Sequence, residues 1–176
     1  MAHYETPTYK VIKKDGNIEI RRYDDFKTTS IDENKLSGYS GFDHLFGYIS
    51  GNNENHEKIS MTVPVINEIS PQSMSMEFVV PSKYMASTPK PTDPLLITKT
   101  YPAHFAAALT FSGSAARETL VDKKVVELSL WLKKANLKSR GKVRLARFNT
   151  PFSLPFLRHN EVIFELNLPE DYQFKD

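Results

Sequence analysis

The chain repeats its own order of elements, and that repetition narrows the folds open to it. From about residue 5 to 81 the pattern reads strand, bend, strand, helix, strand, strand, and it reads so again from about 95 to 168. Local residues agree. Ile18-Glu-Ile-Arg-Arg-Tyr-Asp-Asp-Phe in the first half parallels Leu96-Ile-Thr-Lys-Thr-Tyr-Pro-Ala-His-Phe in the second. Strands are expected at 9–13, 18–23, 26–31, 59–68 and 74–80, then at 95–100, 103–111, 143–148 and 161–168. Helices are expected at 41–50 and 115–135. Lys14-Asp15-Gly16-Asn17 is a hairpin turn in which Gly16 supplies positive φ. Residues 32–39 read as a polar loop, and 82–94, with prolines at 89, 91 and 94, as a linker between the halves. Two such β-β-α-β-β units predict an α+β fold, with one domain over 1–176 and pseudo-repeats at 5–81 and 95–168. The expected form is a curved antiparallel sheet or distorted β-barrel with two flanking helices. A cleft between the halves is then a natural ligand site.

The stretch from Gly41 to Val65 carries the densest local signal. Phe42, Leu45, Phe46 and Ile49 recur at helical spacing and are expected to face the core. Ser40 is placed to cap this helix, and Gly51-Asn52-Asn53 to end it. His44 and Tyr48 are four apart, hence neighbours, and fall away from the apolar stripe on an outer face. That face is either a solvated surface or a ligand platform. From Ile59 to Val65 apolar and polar residues alternate as in a strand, and Pro64 places it at an edge or bulge.

Composition excludes several classes. Net charge is +2 with no run of five or more basic residues, which argues against nucleic acid. Cysteine is absent, so disulfides, thiolate metal sites and cysteine nucleophiles are absent too. No stretch is long and apolar enough to span a bilayer and no signal peptide is apparent, so a soluble cytoplasmic protein is the expectation.

Two further features bear on binding. In the second helix Leu120, Val121, Val125, Leu128, Trp131, Leu132 and Ala135 form an inner face, while Val126 and Leu130 lie opposite, which leaves monomer and weak dimer both open. Between the last two strands lies Asn149-Thr-Pro-Phe-Ser-Leu-Pro-Phe-Leu-Arg158. Pro151 and Pro155 stiffen this loop, and Phe152, Leu154, Phe156 and Leu157 make it greasy. It either seals the core or covers an apolar ligand, with Arg158 beside it able to meet a carboxylate.

Several of these pieces occur together and in order in one family. Ile18-Glu-Ile-Arg-Arg-Tyr, the 41–51 helix ending Tyr-Ile-Ser-Gly-Asn-Asn, Lys58-Ile-Ser-Met-Thr-Val-Pro-Val65, Met76-Glu-Phe-Val-Val-Pro81, and Pro151-Phe followed by Arg158-His-Asn-Glu-Val162 resemble the SOUL haem-binding protein family over about residues 5–168. The resemblance implies the distorted barrel already reached, a fold shared with small-molecule-sensing regulator domains and gyrase-inhibitor-like proteins. It implies non-covalent haem or another porphyrin as ligand, in a shallow apolar site near the first helix and the late loop. The site residues it implies are His44, Gly47 and Tyr48 from the helix, Phe152, Phe156 and Leu157 from the loop, and Arg158 near the propionates. His44 is the candidate iron ligand; members without a protein ligand are also expected. His104 reads as a core or rim residue, His159 as able to face either way, and His3 and His56 as poor candidates.

No catalytic motif stands out: His-Glu-x-x-His, Gly-x-Ser-x-Gly and a phosphate-binding glycine loop are all missing. Asp24-Asp25 reads as turn chemistry, and Glu161 as a structural acid that either accepts backbone N–H groups or pairs with an arginine. Three readings follow. The first is a tetrapyrrole carrier or buffer. The second is a general small-molecule sensor with a central apolar cleft. The third is a hydrolase, which would need a buried acid such as Glu161, Glu77 or Glu68 with a raised pKa.

Overall fold

A computed structural model describes residues 3–36, 40–150 and 152–175. Strands β1 (Tyr9–Asp15), β2 (Ile18–Tyr23) and β3 (Phe26–Glu33) precede helix α1 (Ser40–Ile49). Strands β4 (Val65–Ile69), β5 (Met74–Val79), β6 (Ile97–Tyr101) and β7 (His104–Phe111) follow, then helix α2 (Glu118–Lys134) and strands β8 (Ser139–Arg147) and β9 (Asn160–Leu166). Among the described residues all nine strands join one antiparallel sheet in the order β1-β2-β7-β9-β8-β4-β5-β3-β6. The sheet is open, with β1 and β6 at its edges, so the curved form holds rather than a closed barrel.

The order has an internal symmetry. Exchanging β2, β3, β4 and β5 for β6, β7, β8 and β9 maps the eight-strand core onto itself in reverse. The first strand of each half does not pair with its own unit's later strands. It crosses over: β2 pairs with β7, and β6 with β3. Bends at 24–25 and 102–103 let each strand pass to the other half, as the parallel sequences there suggest.

Both helices cover the same face. Alternate residues Ile18, Ile20, Phe105, Ala107, Leu109, Val162, Phe164 and Leu166 pack under Val121, Leu128 and Leu132 of α2. Under α1 lie Ile31, Met76 and Phe78. The helix-free face is buried too. Tyr23, Phe26, Ile66, Tyr101, Ala106, Ala108, Ala146 and Ile163 form a second core there. The segment 3–8 crosses this face: Val63 N–H donates to Glu5 O at 3.0 Å, Ser82 N–H to the Glu5 carboxylate at 2.7 Å, and Asp24 N–H to Thr8 O at 3.0 Å.

Several expectations shift. The strand expected from 59 begins only at Val65; 59–64 is irregular, with a bend at Val63, a cis bond at Val63–Pro64 and a lone bridge from Thr62 to Glu5. Glu33, not Ser40, caps α1, its carboxylate accepting from Gly41 N–H at 3.1 Å. A carboxylate there also meets the positive end of the helix dipole. Gly41 is required at this point, since a Cβ would lie 2.8 Å from Ile31 and 3.0 Å from the Glu33 carboxylate. The supposed linker 82–94 is a packed cover over α1, with Pro91 bridging Asn53 and Lys90 O accepting from Glu54 N–H. Val126 and Leu130 are exposed as expected, but so is Ala135. Residues 37–39 of the polar loop, and Pro151, lie outside the described residues.

Candidate functional site

Helix α1 turns a different face inward from the one its apolar spacing suggests. Gly41, Leu45, Tyr48 and Ile49 are buried, while Phe46 is 53% exposed. Tyr48 is therefore not on an outer platform. It packs among Leu45, Ile59, Phe78 and Leu96, and its hydroxyl donates to Pro89 O at 2.7 Å. Burial pushes its pKa up. The cause is the 84–93 cover, which supplies apolar surface and a carbonyl on that side and so makes Tyr48 a core residue.

His44 and Gly47 do share a recess, of about 240 Å3, with Asp43, Asn52 and Asp93. His44 Nδ1 lies 2.5 Å from Asp93 Oδ2. That hydrogen bond, together with the Leu95 N–H, holds the Asp93 carboxyl below its ordinary range. An ionised Asp93 fixes the proton on Nδ1 and leaves Nε2 with its lone pair, the arrangement by which a carboxylate orients a metal-binding histidine. The recess holds two carboxylates, so it does not suit a ligand's anionic groups.

The late loop is open. Phe152 is 96% exposed, and Leu154, Phe156 and Leu157 are all more than half exposed. It does not seal the core. Its backbone is nevertheless fixed. Pro155–Leu157 forms a 3-10 turn, Gly113 N–H donates to Pro155 O at 2.9 Å, and Arg158 Nε donates to Ser153 O at 2.8 Å. Phe156 and Pro155 border a recess of about 540 Å3 whose other walls include Leu120, Arg117 and Lys123 at the start of α2. Sequence reasoning did not single out Arg117 or Lys123. Both are ordinary surface residues by type, and only the fold brings them beside the greasy loop. The loop and α1 thus line separate recesses.

The helix-free face is a network of buried charge. Arg21 grips Glu161 with two hydrogen bonds of 2.7 and 2.8 Å. Burial alone would raise the Glu161 carboxyl, but hydrogen bonds from His159 and Arg21 and the Arg21 charge outweigh it and hold it at about 2. His159 faces this side, stacked 4.3 Å from Phe148 and 2.9 Å from Glu161. Glu77 is bound by Lys99, Tyr101, Thr28 and Ser75, and Glu68 by Lys99 and Tyr101. A hydrolytic acid would need the opposite of the Glu161 shift. Glu161 is the structural acid its sequence context suggests.

Known proteins bear on this arrangement. The family model described as SOUL heme-binding protein matches residues 4–165. The chain belongs to the SOUL family. Heme-binding protein 2 of mouse is 24% identical over 173 residues, a match taking in 90% of this chain and 84% of that protein. Its human counterpart is 25% identical over the same coverage. Among solved structures, the EcmrR C-terminal domain superposes with a TM-score of 0.64 at 10% identity, over 90% of this SOUL chain and 98% of that one. A hydrolase from Listeria innocua gives 0.59 at 10% identity, over 89% and 94%. At that identity these two show a common fold only. Among the described residues no helix of this SOUL protein is long and apolar enough to cross a membrane, and no group of three or more His, Asp or Glu is placed to hold a metal ion.

Proposed function

We propose that this SOUL protein binds haem or a related tetrapyrrole reversibly, as a carrier or buffer, on the surface formed by the late loop and the outer side of α1. The observation that carries this reading is the exposure of Phe152, Leu154, Phe156 and Leu157 on a backbone held in place by Gly113 and Ser153. Four large apolar side chains on one fixed loop invite a flat apolar partner. The residues present fit a porphyrin. The rings offer its face contact, and Arg158, Arg117 and Lys123 border the loop where propionates would need cations. A haem iron needs only one or two protein ligands, so the lack of a three-residue metal cluster among the described residues is compatible with it. His44 is offered as that ligand, since Asp93 orients its ring and leaves Nε2 to coordinate. Gly47 keeps the adjacent helix surface low; Tyr48, being buried, acts only by holding the helix. The bound group would supply the redox and ligand-binding chemistry of its iron.

Haemin titration followed by absorbance tests this. Wild type should saturate at one haemin per chain. A Phe152→Ser/Phe156→Ser variant should bind at least tenfold more weakly, because two large apolar contacts are lost, each worth about 1.5–3 kcal/mol when fully buried. His44→Ala should shift the Soret band, and Asp93→Asn should shift it in the same sense. Saturable binding with an unchanged band in His44→Ala would keep the carrier and remove the ligand. No saturable binding by wild type would sink the proposal.

A further inference from the structure

On the helix-free face, buried basic residues have acidic partners, with one departure. Arg21 has Glu161, and Lys99 has Glu68 and Glu77. Arg144 on β8 is only 3% exposed, yet among the described residues no carboxylate lies within ion-pair distance of it. Among the described residues its single side-chain hydrogen bond runs from Nη2 to Nε2 of His104, at 2.7 Å. His104 Nδ1 meets Pro102 O at 2.7 Å, which places its proton on Nδ1 and makes Nε2 an acceptor for Arg144. Burial and the Arg144 charge together push the His104 pKa down to about 4, so His104 is neutral near pH 7 and does not add a second charge. The rings of Tyr23 and Tyr101 face the guanidinium at 5.9 and 5.1 Å. Glu68 is the cross-strand neighbour of Arg144, but its carboxylate is taken by Lys99, Lys142 and Tyr101.

A buried guanidinium cannot neutralise itself by losing a proton, so it needs either an anion or polar partners for its remaining donors. Arg144 borders a cavity of about 80 Å3 on this face. The walls are Tyr9, Tyr23, Phe26, Ile66, Phe148 and Ile163, with Pro7 and Thr6 of the 3–8 segment across them. One cation in an otherwise apolar and aromatic chamber is a pattern that selects for an apolar body carrying one negative charge. The chamber is about half the size of the 150 Å3 cavity known to hold benzene, so a body of three to five carbons is the right scale.

We propose that this cleft is a second binding site, for a small aliphatic monocarboxylate whose carboxylate pairs with Arg144 and whose chain lies between Tyr23, Phe26 and Phe148. It shares no residue with the tetrapyrrole surface.

The test is a backbone amide NMR titration of the full chain at pH 7 with three isosteric probes: isobutyrate, isobutyramide and isobutylamine. Isobutyrate should give saturable shifts centred on Tyr23, Phe26, Arg144, Phe148 and Ile163, and isobutyramide should bind roughly tenfold more weakly or less well still, since it leaves the buried charge uncompensated. Arg144→Gln should abolish the preference for isobutyrate. If Arg144→Gln does not fold, the comparison of the three probes on wild type decides alone. Equal binding of acid and amide, tighter binding of the amine, shifts confined to the His44 recess or late loop, or no saturable shift with any probe would each overturn the proposal. Haemin binding is measured separately, so the two sites succeed or fail independently.

Discussion

Glu161 and His104 sit on the same buried face, and both make the fold acid-labile. Glu161 is held at about 2 in the folded chain against about 4.5 in an open one, so its contribution is whole above about 4.5 and is lost as pH falls from there towards 2. His104 is held at about 4 against 6.5. Here the unfolded chain binds the extra proton, so stability falls as pH drops from about 6.5, and the loss is complete below about 4. The His104 part is on the order of 3 kcal/mol. Urea midpoints measured from pH 7 to pH 4 should therefore decline, and His104→Gln should flatten the limb between 6.5 and 4; an equally steep limb in the variant would rule out His104 as its cause. Glu161→Gln should cost about 3–5 kcal/mol at pH 7, because it strands the buried Arg21 charge. That Glu161 is structural was legible in the sequence, from the motif it sits in; that its partner is Arg21, 140 residues away, was not, because the pairing depends on which strands the fold brings together. The position of Arg144 beside a chamber was not, because nothing in a strand's own residues says which of its arginines finds a carboxylate.

Helix α1 shows how spacing leaves a choice that packing resolves. Phe42, Leu45, Phe46 and Ile49 make one stripe at helical period; Gly41, Leu45, Tyr48 and Ile49 make another, rotated about the helix. The sequence ranks them by hydrophobicity and prefers the first. The fold chooses the second because β3 approaches within contact of Gly41, where only a glycine fits, and the 84–93 cover offers Tyr48 a carbonyl. Removing Tyr48 tests this directly. Tyr48→Ala should lower stability by about 3–5 kcal/mol through the cavity it leaves, and Tyr48→Phe by about 1 kcal/mol through the lost hydrogen bond, both read from denaturant unfolding. A surface tyrosine would give changes within about 0.5 kcal/mol. The late loop should behave in the opposite way. Phe152→Ser should leave stability within about 0.5 kcal/mol while weakening haemin binding, since its ring touches solvent and not the core.

At the scale of the whole chain, the exchanged first strands tie the halves together. Neither half owns a complete sheet: β2 closes on β7, and β6 on β3. Unfolding should be one cooperative transition, seen alike by circular dichroism and by Trp131 fluorescence. Fragments divided in the 84–93 cover should be unstructured apart and should gain amide dispersion when mixed; either fragment folding alone would show that the crossover is dispensable. The sequence by itself determined the class of fold, the number and order of elements and the family, because hydrophobic period, turn residues and uncommon motifs are local properties of the chain. It also marked the late loop, because four large apolar residues within six positions around Pro155 call for something to cover, though it left open whether that is the core or a ligand. Only the tertiary structure decided that the linker is a cover, that Tyr48 faces inward, that Arg117 and Lys123 stand beside the loop, and that Arg144 borders a chamber that, among the described residues, has no carboxylate in its walls. Those facts depend on contacts between residues far apart in the chain, which are set by the packing of whole elements and leave no local signature.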